Sequence, residues 1–130
     1  MITITIPGNP RTKKNSQRIL TNRKTGRSFI APSTAFQKYE KAARAAIQAD
    51  VRKAVDSRVT VKCLYYMRTL RAVDLSNLLE ATDDILVKYG VLADDNCRII
   101  ASHDGSRVLY DKLNPRAEIY ITPFAEENTL

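Results

Sequence analysis

The sequence predicts an α+β fold: a single mixed β-sheet of about four strands plus a basic hairpin, with two helices packed on it. Three observations carry this reading. Residues 2–6 (ITITI) and 116–122 (RAEIYIT) alternate apolar and polar side chains, the period of a half-buried strand. Residues 59–67 (VTVKCLYYM) are rich in β-branched and aromatic side chains, as a central strand requires. Two further segments, following Pro32 and Asp74, repeat apolar residues at helical spacing.

The first strand is stopped by PGNP. Arg18 to Leu20 and Ser28 to Ala31 flank TNRKTG, whose Asn and Gly suit a hairpin or an irregular basic loop. Ser33 or Thr34 then caps a helix running to about Asp50, with Phe36, Tyr39, Ala43, Ala46 and Ile47 on its apolar face. Asp74 is the expected N-cap of the second helix. Leu75, Leu78, Leu79, Thr82, Ile85, Leu86 and Tyr89 form its stripe, and Gly90 ends it. Cys97 to Ser102 reads as a strand, and the tail from about residue 123 reads as flexible. Tyr65, Tyr66, Tyr110 and Tyr120 read as core or sheet-face residues rather than base-stacking platforms.

With 130 residues, the chain is expected to form one domain spanning 1–130. Its 44% hydrophobic and 27% charged residues are ordinary for a soluble globular protein and speak against global disorder. No apolar run reaches transmembrane length and the first residues lack a signal-peptide pattern, so no membrane partner and a cytoplasmic location are expected. Cys63 and Cys97 form no CxxC; two buried free thiols are expected, and zinc lacks ligands.

Charge is unevenly placed. Residues 1–60 carry 13 Lys/Arg against 3 Asp/Glu, whereas residues 61–130 carry 8 against 11. Arg11, Lys13, Lys14, Arg18, Arg23, Lys24 and Arg27 follow one another with no acid between them. Such a run is either a solvated basic loop or a grip on a nucleic-acid backbone. Against it stands the stretch 74–95, with Asp74, Glu80, Asp83, Asp84, Asp94 and Asp95 around one Lys88. At about 100° per residue, Asn77, Glu80 and Asp84 share the face opposite the apolar stripe, with Asp83 to one side as surface. Each acid alone is what an amphipathic helix shows to water. Together they are oxygen ligands of the kind Mg²⁺ or Mn²⁺ prefers, and such an ion supports phosphodiester hydrolysis.

These residues resemble the RusA family of Holliday junction resolvases, found in phages and prophages. The family pattern is approximately Asp-x-Asp-Asn, an apolar-striped helix with an Asp near its end, a Gly, then an Asp-Asp pair. The chain reads Asp74-Leu75-Ser76-Asn77, then Asp84, Gly90 and Asp94-Asp95, and its opening IPGNPRTKKNS is also similar. The resemblance spans roughly residues 2–122. It implies a Mg²⁺-dependent (or Mn²⁺-dependent) endonuclease that nicks four-way DNA junctions symmetrically as a homodimer, in a bacterial or phage-infected cell. It also implies that Asp74 and Asp95 are essential metal-binding acids, with Asp94 a less critical neighbour and Asn77 and Asp84 within the motif helix.

Two positions depart from the pattern. Ser76 stands where the family usually has a second catalytic Asp, and Glu80 where it usually has a Lys. The two are one helical turn apart, so their side chains can meet. If Glu80 supplies the missing carboxylate, Asp74, Glu80 and Asp95 are catalytic and hold metal with Asp94, supported by Ser76, Asn77 and Asp84. If the site has degenerated, the protein binds branched DNA or RNA without cutting it. Arg71 or Lys88 is available to replace the lost positive charge. Lys13, Lys14, Arg23, Lys24, Arg27 and Arg71 are the expected DNA-binding residues. His103 is either a turn residue at a strand end or a group that orients water or contacts phosphate.

Overall fold

The computed structural model describes residues 1–13 and 17–125, with the backbone alone for residues 17–19 and 30–32. Lys14 and the tail from Glu126 lie outside the described residues. Strand β1 (Ile2–Pro7) pairs antiparallel with β7 (Arg116–Pro123), which pairs antiparallel with the central strand β4 (Val59–Met67). The other edge of β4 is shared by two short parallel strands, β5 (Ile100–Ser102) and β6 (Arg107–Tyr110). The sheet therefore has five strands where about four were expected. Strands β2 (Gln17–Thr21) and β3 (Ser28–Pro32) form the basic hairpin as a separate two-stranded sheet.

Period-two alternation decides which face is covered. Val59, Val61, Cys63, Tyr65 and Met67 of β4 are buried beside Ile4 and Ile6 of β1 and Ala117, Ile119 and Ile121 of β7. The opposite face carries Lys62, Tyr66, Arg116, Glu118 and Tyr120. There the Arg116 guanidinium lies 3.9 Å from the Tyr66 ring centroid and bonds Glu118 and Asp111.

Helix α1 (Thr34–Ala46) starts where Ser33 Oγ accepts the Phe36 N–H, and it buries Phe36, Tyr39 and Ala43. It ends earlier than Asp50 because Ile47 turns to extended backbone and into the core, and a single 3-10 turn follows at Ala49–Val51. The Arg52 guanidinium donates to the Arg44 and Ile47 carbonyls, satisfying groups that the helix end leaves open. Helix α2 (Leu75–Lys88) stops at Gly90, whose φ of +79° lets the Val91 N–H turn back to the Leu86 carbonyl. Its Leu78, Thr82, Ile85 and Leu86 are fully buried. Thr82 Oγ1 donates to the Leu78 carbonyl, so the Tyr65 hydroxyl, 2.6 Å away, donates to Thr82 Oγ1 and ties α2 to β4.

Between its contacts with β5 and β6, β4 has no strand partner on that edge among the described residues. Side chains fill the gap: His103 Nδ1 lies 2.8 Å from the Val61 carbonyl, and Ser106 Oγ accepts the Cys63 N–H at 2.9 Å. Two other expectations are corrected. Strand structure starts at Ile100 rather than Cys97, because Ile99 and Ile100 both donate to the Asn96 carbonyl in a turn; Cys97 is exposed there and Cys63 alone is buried. Pro123 still belongs to β7, and Phe124 donates to the Arg58 carbonyl and packs under its guanidinium. Tyr110 is a sheet residue, as expected, and lies half-exposed on β6. No helix among the described residues is long and apolar enough to cross a membrane.

If packing rather than the buried hydroxyl pair dominates the α2–β4 junction, Ile85→Ala costs about 2–5 kcal/mol and Tyr65→Phe about 1 kcal/mol. Urea unfolding of the two variants measures both, and the reverse ranking would contradict this account of the junction.

Candidate functional site

Helix α2 and the turn after it distribute the acids among different neighbours. Asp74 occupies the N-cap position, yet its carboxylate makes no capping bond to the helix backbone. It accepts instead from the Asn77 side-chain amide at 3.3 Å, leaving its charge exposed at the start of the helix. Ser76 and Glu80 are exposed on the next turns. Glu80 lines a narrow crevice with Lys13, Asn77 and Asp84, and Lys13 pairs with Asp84 at 3.5 Å. Lys13 also sits 5.7 Å from the Phe36 ring centroid, so this basic residue bridges α1 and α2. Lys88 bonds Glu40 at the far end of the helix.

In the turn beyond α2, Asp94 is structural in its bonding. Its Oδ1 accepts the Asp95 N–H at 2.7 Å and its Oδ2 accepts the Asn96 amide at 3.0 Å. The Asp95 carboxylate makes no hydrogen bond or ion pair with the described residues and faces solvent. Its charge reaches Asp83, in the third turn of α2, whereas Asp74 lies nine residues before Asp83, about 13 Å along the helix axis.

Asp83 was expected at the surface and is not. Its side chain is 15% exposed, and its Oδ2 lies 2.8 Å from His103 Nε2. The helical wheel correctly puts it beside the apolar stripe, but the segment returning from the Asp94-Asp95 turn covers that side. Its other oxygen, Oδ1, is buried without a hydrogen-bond partner among the described residues. Both ring nitrogens of His103 face acceptors, Val61 carbonyl and Asp83 carboxylate, so the pair holds a proton on the Nε2 side as well as on Nδ1. The hydrogen bond from Asp83 pushes the imidazole up from its ordinary value. Burial pushes the Asp83 carboxyl up as well, outweighing the imidazole's opposing pull, and the nearby charges of Asp95 and Asp84 add to it. The sequence singled out His103 beside Asp104 at a strand end and placed Asp83 at the surface, but nothing in it pointed to their pairing.

Arg23, Lys24 and Arg27 are exposed together at the hairpin tip. Asn22 Oδ1 accepts the Lys24 and Thr25 N–H groups there, and Gly26 takes a φ of +69°. Arg71 is exposed three residues before Asp74.

The all-oxygen donors of this site suit a hard divalent cation in kind, and the partnerless buried Oδ1 of Asp83 is a further oxygen acceptor in the same region. Among the described residues, no three His, Cys, Asp or Glu side chains are grouped closely enough to hold an ion between them.

The family model described as Endodeoxyribonuclease RusA matches residues 7–122. Comparison with curated proteins yields no match.

Because His103 is pushed up, the stability it contributes is fully present below the ordinary histidine value of 6.5 and is lost as pH rises through its folded pKa. Asp83 works in the same direction, since its buried carboxylate becomes costlier once ionised. The stability difference between wild type and His103→Gln, followed by thermal unfolding, is therefore largest near pH 6 and shrinks toward pH 9. A difference independent of pH would refute the charged pair.

Proposed function

The chain belongs to the RusA family of endodeoxyribonucleases, and from that premise we propose that it resolves four-way DNA junctions by paired symmetric nicks that depend on Mg²⁺ or Mn²⁺. The observation that carries the reading is Asp74. An N-cap aspartate ordinarily spends its carboxylate on the first backbone N–H groups of the helix. Here the carboxylate is withheld from them, as an acid kept for another partner would be.

Asp74, Glu80, Asp94 and Asp95 would hold the ion, with Asp94 also shaping the turn and Asn77 orienting Asp74. When bound, the ion supplies Lewis acidity toward the phosphodiester and lowers the pKa of an attacking water. Ser76 and Asp84 support the site from the same helix, Asp84 by holding Lys13 against it. Arg23, Lys24 and Arg27 at the hairpin tip, together with Lys13, Lys14 and Arg71, bind backbone phosphates. Two symmetric nicks need two symmetric sites, so the working form is a homodimer of single-domain chains. Its place is the cytoplasm of a bacterial or phage-infected cell, in recombination and repair.

Two observations favour a second reading, a branched-DNA- or RNA-binding module that does not cut. Ser76 replaces an acid, and no ion-holding group of three is assembled among the described residues.

A labelled four-way junction with Mg²⁺ or Mn²⁺ separates the two. Paired nicks that fall about 100-fold or more in Asp74→Asn and Asp95→Asn support the nuclease. Tight binding with no cleavage at any metal concentration supports the module. Glu80→Gln is expected to lose cleavage while retaining junction binding, and wild-type rates in that variant would remove Glu80 from the site.

A further inference from the structure

Where β1 and β4 end on the same side of the sheet, two adjoining clefts flank the segment 9–11. The larger, about 480 Å³, is bordered by Arg11 and Arg68 and by the first turns of α1, including Lys38. The smaller, about 340 Å³, continues past Arg11 to Arg71 and Val73, the residue before Asp74. Asn9 and Arg11 line both, so the clefts adjoin along this segment, and the smaller reaches the residue before Asp74.

The groove is positively charged throughout its described lining, with no acid on either cleft. Arg11, Lys38, Arg68 and Arg71 are exposed and make no ion pair with a described residue, whereas Lys13, Lys88 and Arg116 are each matched to a carboxylate. Helix α1 has no acid in its first turn, so the positive end of its dipole adds to the same field. The wall is fixed rather than adaptable. Asn9 Oδ1 accepts the Arg68 N–H at 2.9 Å, tying the end of β1 to the end of β4, and Gly8, at a φ of +96°, donates to the Pro115 carbonyl. Unmatched like charges held together in a concave surface focus a field that a polyanion relieves. A long open groove suits a run of phosphates better than a single small anion.

We propose that Arg11, Lys38 and Arg68, continuing through Arg71, form a second backbone grip that takes successive phosphates of the DNA strand running toward Asp74, separate from the hairpin tip. The proposal rests on the nuclease reading for its ligand class and adds a binding surface to it.

The test is fluorescence anisotropy of a labelled four-way junction, a linear duplex and a single strand in EDTA, across a NaCl series. Arg11→Gln/Arg68→Gln is expected to bind the junction roughly tenfold more weakly or worse. Its log-affinity against log-salt slope should fall by about 2, and adding Lys38→Gln should remove about 1 more. A control, Lys53→Gln/Arg107→Gln, removes the same charge elsewhere and should move the slope less than half as far. Lys38→Gln alone, on an exposed helix face, carries the test if the double variant does not fold. Groove variants equal to wild type, or no worse than the control, overturn the grip while leaving junction cleavage to judge the nuclease. A wild-type protein that binds none of the three nucleic acids overturns both.

Discussion

The carbonyl of Val61 is the point on which the acidic region hangs. Strand β4 exchanges one parallel neighbour for another midway along its edge, and the backbone groups between them would otherwise be orphaned at a cost of about 1–3 kcal/mol each. His103 and Ser106 meet that need. Because His103 spends Nδ1 on Val61, its Nε2 is turned toward α2, where Asp83 waits. A backbone requirement of the sheet thereby ties the segment after the Asp94-Asp95 turn to the helix carrying the other acids.

The helix itself is placed by burial and by the Tyr65–Thr82 bond, which fix both its rotation and its height on β4. Rotation then assigns each acid a different neighbourhood. Asp74 meets Asn77, Asp84 meets Lys13, and Asp83 meets His103. Six carboxylates within one short stretch are thus not one pool of charge. Family membership says what such a constellation is for in relatives; the neighbours say how this chain has divided it.

The fold was largely legible because its signals are local. The alternation in β1 and β7, the β-branched and aromatic content of β4 and most of the stripe of α2 match the burial pattern; of the two expected caps Ser33 is the one used, and Gly90 is the stop. Strand β6 was not legible. Its four residues, RVLY, are mostly exposed and show no apolar face, and they pair only because β4 offers them an open edge. The position of Asp83 was hidden for a related reason. A helical wheel shows where a side chain points, but not which distant segment returns to cover it, and the covering residue lies 20 positions away. The unequal roles of Asp94 and Asp95 were likewise invisible, since either could have closed the turn.

Adjacent acids in α2 consequently answer to different properties of the solution. The Asp84–Lys13 pair is open to water, with side chains about two-fifths exposed, so dissolved ions compete with it and its hold on the basic segment loosens as ionic strength rises. Asp83–His103 is sheltered from that screening and instead exchanges protons. One peptide bond therefore separates a contact tuned by salt from a contact tuned by acidity. Because the Asp84 charge also bears on Asp83, salt that frees Asp84 from Lys13 is felt at the neighbouring pair through that charge.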